Sequence, residues 1–111
     1  MATLEVLRSC VQAVLLRYAQ QSAASGDVDV QTVFDTENHH YQVVNVGWRA
    51  GRRIYGTVLH IDIEDGKAWI QYNGTEMDVA GELVECGLSQ SDIVIGFHAP
   101  YKRRATGFAV G

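Results

Sequence analysis

The chain has two cysteines, one proline and no long apolar run. Cys10 and Cys86 show neither CxxC nor Cys/His spacing, so they are expected as free, buried thiols of a reducing compartment. No stretch approaches the ~18 apolar residues that a membrane span needs. The opening "MATLEVLRSCVQAVLLRYAQQ" does not read as a secretory signal, because it carries an early acid and places Arg8 and Arg17 inside its apolar run. A soluble, cytoplasmic protein is the expectation. A nucleophile elbow, a phosphate-cradling glycine loop and a dinucleotide fingerprint are missing too. So are repeats, linkers and low-complexity segments, and 111 residues suit one domain, 1–111.

Positive charge is also scarce. Nine Lys and Arg face thirteen Asp and Glu, and the net charge of −4 argues against a general polyanion binder. Yet six of the nine basic residues fall in two clusters, Arg49, Arg52 and Arg53, and Lys102, Arg103 and Arg104. Trp48 and Tyr55 flank the first, and Tyr101 precedes the second. Cations beside aromatic rings are the composition of a nucleic-acid contact, where charge meets phosphate and rings stack. They equally suit a protein partner with an acidic surface. A third reading is structural, in which exposed Arg only keeps an edge strand from pairing.

Apolar periodicity orders the chain. Leu4, Leu7, Val11, Val14, Leu15 and Tyr18 predict an amphipathic helix over about 3–22, capped by Thr3 and stopped at Gly26. "VDVQTVF" alternates Val28, Val30, Thr32 and Phe34 against Asp29, Gln31 and Val33. "YQVVNVGW" and "RRIYGTVLHIDIE" follow. Strict alternation in the latter groups Tyr55, Thr57, Leu59, Ile61 and Ile63 on one face, and Ile54, Gly56, Val58, His60 and Asp62 on the other. Asp65-Gly66 predicts a tight hairpin turn into "KAWIQY". Thr75 with Asp78 resembles a capping box for a second helix that ends at Gly87. Gly81 inside that helix suggests close packing against the sheet, and Gly47, Gly56 and Gly96 suggest bulges or close backbone approach. "IVIGF" reads as a short buried strand.

The expected class is α+β: N-terminal helix, four-stranded antiparallel meander, second helix, short C-terminal strand, with one antiparallel sheet and the helices on one face. The face left over carries Arg, His and aromatic residues, which invites a homodimer or another partner.

Catalytic signals are weak. His39 and His40 are adjacent and point to opposite faces of a strand, so they cannot chelate one ion together. With Asp35, Glu37 and Asn38 they read as a solvated hairpin loop, a metal-dependent enzyme being the minor alternative. His60 reads as a satisfied half-buried histidine, and His98 as a partner of the Ala99-Pro100 turn. Asp62 and Glu64 share a strand face near Lys67, but this spacing is poor for two-metal nuclease chemistry. No catalytic, cofactor-binding or metal-binding residue is assigned.

Three stretches carry more information together: "VFDTENHHYQVVNVGW", "HIDIEDGKAWIQYNGTE" and "DIVIGFHAPYKRRATGFAV". From about Asp27 to the C-terminus the chain resembles the XisI family, the fdxN element excision controlling factor proteins abundant in cyanobacteria. Asp35, Thr36, Glu37, Tyr41, Trp48 and the run from His98 to Arg103 match the family position by position. The N-terminal helix agrees in pattern only. The resemblance implies a role in developmentally controlled excision of a DNA element, alongside a site-specific recombinase. It also implies an endonuclease-like partner of the XisH type, commonly encoded beside XisI. It supplies no catalytic residue and no cofactor.

A non-enzymatic accessory protein acting through protein–protein contact is therefore expected. Arg49, Arg52, Arg53, His98, Tyr101, Lys102, Arg103 and Arg104 are its candidate contacts. Direct DNA binding through the same clusters is the alternative. "YKRRATG" is expected as a loop presented between two anchored ends.

Overall fold

Helix α1 (Leu4–Ser22) buries Leu7, Val11, Val14 and Leu15 along one stripe. Each such burial is worth roughly 1.5–3 kcal/mol. Thr3 caps it, its Oγ1 accepting from the Val6 amide at 3.2 Å. Leu4, placed on the apolar stripe by periodicity, is exposed. The computed structural model describes residues 2–22 and 27–111, so the expected stop at Gly26 lies outside the described residues.

Five strands follow: β1 (Val28–Asp35), β2 (His40–Arg49), β3 (Arg52–Glu64), β4 (Lys67–Asn73) and β5 (Ile93–Ile95). They form one sheet in the order β1-β2-β3-β4-β5. The first four pair antiparallel as the expected meander. The expectation of a wholly antiparallel sheet is corrected at β5, which runs parallel to β4, with Ala68 opposite Ile93 and Ile70 opposite Ile95. The cause is the connection. Helix α2 (Val79–Cys86) intervenes, and a helical crossover returns the chain in the same direction. Both two-residue hairpins have positive φ at both turn positions, Ala50 and Gly51, and Asp65 and Gly66.

Both helices cover one face. Leu7, Val11, Val14 and Leu15 of α1 and Val79, Ala80 and Leu83 of α2 join a single core with Tyr41, Val43, Leu59, Ile61, Ile63, Ile70 and Ile93. The alternation expected for β3 fails across residue 58. Val43 pairs Leu59 while Val44 pairs Thr57, so Val58 is an extra, bulged residue. Ile54 and Gly56 therefore share the helix-covered face with Leu59, Ile61 and Ile63. Tyr55 and Thr57 turn outward with His60 and Asp62. One inserted residue inverts every side chain beyond it. A second bulge lies on β4 at Gln71, because His60 pairs Tyr72 and Ile61 pairs Ile70.

Helix α2 starts later than the sequence pattern suggested. Its N-cap is Asp78, whose Oδ1 accepts from the Gly81 amide at 3.1 Å. Thr75 is instead held in the Asn73 turn, its amide and hydroxyl both donating to Asn73 Oδ1. Gly81 does not serve packing against the sheet: a Cβ there would lie 2.3 Å from Asp78 Oδ2. The glycine makes room for the cap carboxylate. Gly87 closes the helix as expected. Cys10 is buried and donates to the Cys86 carbonyl, and burial pushes its thiol up to about 12. Cys86, expected buried, is exposed at the end of α2.

The C-terminal stretch is anchored at both ends. The Phe97 amide donates to Ile70, and the Ala109 amide to Ile93 at 2.8 Å. The segment between is not the expected open loop. Pro100–Arg103 form a one-turn helix, α3, with proline at its start, where its missing amide costs nothing. Among the described residues no helix is long and apolar enough to cross a membrane.

Gly47 is tightly approached: a Cβ there would meet the Asp27 carbonyl oxygen at 2.4 Å and Val28 Cα at 2.7 Å. These are backbone atoms and cannot rotate away. Gly47→Ala is expected to destabilise the fold by about 1–3 kcal/mol, read as a lower urea midpoint. Gly81→Ala is expected to be near neutral, because an alanine gain of about 1 kcal/mol in helix propensity offsets a lost cap of about the same size. An unchanged midpoint in the first variant would remove the close-approach account.

Candidate functional site

The sheet face opposite the helices is open over β1–β3, while the C-terminal segment lies over its β4–β5 side. There Arg103 stands over the Trp69 ring at 5.2 Å, and Ala109 bridges to Val94. The register places Gln31, Val33 and Asp35 of β1, His40, Gln42, Val44, Val46 and Trp48 of β2, and Arg53, Tyr55, Thr57, His60 and Asp62 of β3 on this face. Trp48 and Tyr55 are 56% and 73% exposed, and Val33 and Tyr72 are exposed as well. Large apolar side chains on a helix-free face are the feature to explain.

The two basic clusters do not converge. Trp48 pairs Arg53 across the strands, and the Arg53 guanidinium lies 5.4 Å from the Trp48 ring and 5.9 Å from the Tyr55 ring. Arg49 belongs to the opposite face, where it lines a hollow of about 440 Å³ with Tyr18, Gln21 and Asn45. Arg52 pairs with it across the turn. The first cluster is thus split by the pleat.

The second cluster lies at the far side of the sheet. Arg53 and Asp62 are nine positions apart on β3, roughly 30 Å of strand, and Asp62 is level with Trp69, where Arg103 sits. Arg103 is also committed internally, its Nε donating to the His98 carbonyl at 3.1 Å and its Nη2 to that of Gly96 at 3.4 Å. His98 therefore holds the turn through its backbone. Tyr101, Lys102 and Arg104 are exposed.

Two residues of the family motif have structural work. Tyr41 is fully buried against Phe34, with burial pushing its hydroxyl up. Asp35 Oδ1 accepts from the Glu37 and Asn38 amides at 3.0 Å, and Oδ2 from the Asn38 side chain at 3.1 Å. These bonds, the Asn38 amide first, hold its carboxyl below the usual range. Thr36 and Glu37 are exposed in that turn.

One group escaped the sequence reading. His40 Nδ1 lies 2.8 Å and His60 Nε2 2.6 Å from Asp62 Oδ1, while Gln71 Nε2 donates to Oδ2 at 3.2 Å. His39, by contrast, faces the Tyr41 hydroxyl at 3.2 Å. The separation of the two adjacent histidines was legible, but the partner of His40 lies 22 residues on, in the next strand. Burial alone would raise the Asp62 carboxyl. The hydrogen bonds from His40 and His60, the His60 charge and the Gln71 bond outweigh it, and the net shift is downward. The Asp62 hydrogen bond, then its charge, raises His40. Side-chain exposure falls from 52% at His40 to 29% at His60 and 16% at Asp62.

The family model for the XisI protein matches residues 1–110. The chain belongs to the XisI family. The match includes the N-terminal helix, which the sequence motifs reached only in pattern. The crystal structure of a XisI-like protein from Anabaena variabilis is 44% identical, with a TM-score of 0.86, covering 96% of this chain and 99% of that one. The fdxN element excision controlling factor XisI from the same organism is 30% identical, with a TM-score of 0.83, covering 96% and 97%. The chain matches no curated protein.

The sign of the pH dependence follows from the shifts. His40, raised above its usual 6.5, stabilises fully below that value and loses its contribution as pH rises through the folded pKa. Asp62, lowered below 3.8, stabilises above that value and loses its contribution as pH falls through the folded pKa. Urea unfolding in EDTA is expected to show the cluster at full strength between 3.8 and 6.5. Asp62→Asn is expected to flatten both limbs and to return the His40 NMR titration to the ordinary imidazole range. A titration unmoved in that variant would refute the coupling.

Proposed function

We propose that this XisI-family chain is a non-enzymatic accessory protein in excision of a DNA element. It acts by docking, through the open face of its sheet, onto a nuclease-like XisH-type partner or a recombinase. Family membership supports the setting. The single observation that carries the docking surface is the exposed Trp48–Arg53–Tyr55 stack on a face that no helix covers. Trp, Tyr and Arg are the residues that most often dominate binding energy at protein interfaces. Tyr101, Lys102 and Arg104 provide a second, peripheral contact.

Direct DNA binding is less well supported. The two basic groups are about 30 Å apart along the sheet, Arg49 and Arg53 face opposite ways, and Arg103 is engaged internally. Few phosphates could be met at once, and affinity follows the number neutralised.

Co-expression with an XisH-type protein and size-exclusion chromatography tests the reading. One co-eluting peak is expected. Trp48→Ala with Tyr55→Ala is expected to weaken the complex at least tenfold, about 1.4 kcal/mol, with melting unchanged. Lys102→Ala with Arg104→Ala, keeping Arg103, is expected to weaken it less. Separate peaks at micromolar concentration, or a mobility shift of DNA that only the Arg and Lys variants abolish, would overturn the docking reading.

A further inference from the structure

We propose that His40, His60 and Asp62 form a binding site for a divalent first-row transition metal, zinc foremost, on the open face of the sheet. The proposal does not rest on the docking reading.

The ligand set is built by strand geometry. His60 and Asp62 are two residues apart on β3, so they share a face. The register sets His40 of β2 directly opposite Asp62. Both rings and the carboxylate thus point the same way from paired strands, and no loop has to order to bring them together. Their donor atoms all lie within 4.8 Å of one another. A tetrahedral ion with bonds of about 2.0–2.2 Å to imidazole nitrogen and carboxylate oxygen spaces its donors roughly 3.3–3.6 Å apart. The two ring nitrogens, now 2.8 and 2.6 Å from Asp62 Oδ1, must back away from it by roughly 0.5–1 Å to admit an ion, a movement that side-chain rotation alone can supply.

The surroundings fit a coordinating role. Gln71 donates to Asp62 Oδ2, which fixes the carboxylate plane and leaves Oδ1 for the ion, as outer hydrogen bonds do for metal-bound carboxylates. Gln71 is itself the extra residue of the β4 bulge, a device that re-aims a side chain where a site requires it. Asp35 does not compete, because its carboxylate is filled by the turn amides. The two rings already aim one nitrogen each at the same oxygen, which a carboxylate accepts without strain. With the ion bound, each ring keeps its proton on the other nitrogen and presents the converging nitrogen as a lone pair.

Donor chemistry selects the metal class. Two imidazoles and one carboxylate suit zinc and its neighbours, whereas magnesium and calcium prefer oxygen ligands alone. Three protein ligands leave at least one position open. His40, the most exposed of the three, places that position toward solvent.

The test uses the full chain, stripped with chelator and titrated with Zn²⁺ by calorimetry and with Co²⁺ by absorbance. One equivalent is expected to bind with Kd of about 10 μM or tighter. His40→Ala, at an exposed position and with the chain still folded by circular dichroism, is expected to weaken binding at least tenfold. His60→Gln and Asp62→Asn are expected to do the same, and Gln71→Ala to cost about tenfold. His39→Asn, beside the site but outside it, is expected to bind as the parent does. No saturable uptake up to about 100 μM Zn²⁺, or uptake that survives in both His40→Ala and His60→Gln, would overturn the proposal.

Discussion

Everything in this molecule depends on two helices packing onto one face of one sheet. The stripe of Leu7, Val11, Val14 and Leu15 and the apolar side of α2 bury the inward residues of every strand from β2 to β5 in a common core. Among the described residues the third helix, Pro100–Arg103, is a single turn at the β4–β5 side. Over β1–β3 the outward face is therefore left to solvent, and its residues there are released from the demands of core packing. Trp48, Arg53, Tyr55, His40 and His60 stand there without needing an apolar partner.

Polar satisfaction then shapes what the open face holds. Asp62 is the least exposed charged group in its cluster, and a carboxylate at that depth needs donors. Two imidazoles and an amide supply them. At the other end, Arg53 spreads over two rings instead of meeting a carboxylate, so that region keeps positive charge beside apolar surface. One face thus offers two chemically different ends.

Much of the fold was legible in the residues. The first helix, the meander, the Asp65-Gly66 hairpin, the Gly87 stop and the helix-free face all follow from local periodicity and turn chemistry. The bulges at Val58 and Gln71 were not legible, because an inserted residue is defined by the partner strand and leaves no local mark. That one omission moved Tyr55 to the wrong face and hid its alignment with Trp48 and Arg53. The direction of β5 was lost for a related reason: a three-residue strand has no period of its own, and only its crossover decides which way it runs. The histidine cluster needed register, since His40 and Asp62 are neighbours only across the ladder. Tyr41 and Asp35 stood out in the family motif, yet burial and turn hydrogen bonds explain their presence. Arg103 looked like a free contact residue until its carbonyl partners were seen.

The bridge between Ala109 and β5 has a consequence for assembly. One border of the sheet is only three residues long and is already occupied by the chain's own C-terminal segment. The other border is β1, eight residues long and the first strand in the order. The chain's own C-terminal segment thus takes up backbone groups that an added strand would need beside β5, and the longer border of the sheet is the one along β1.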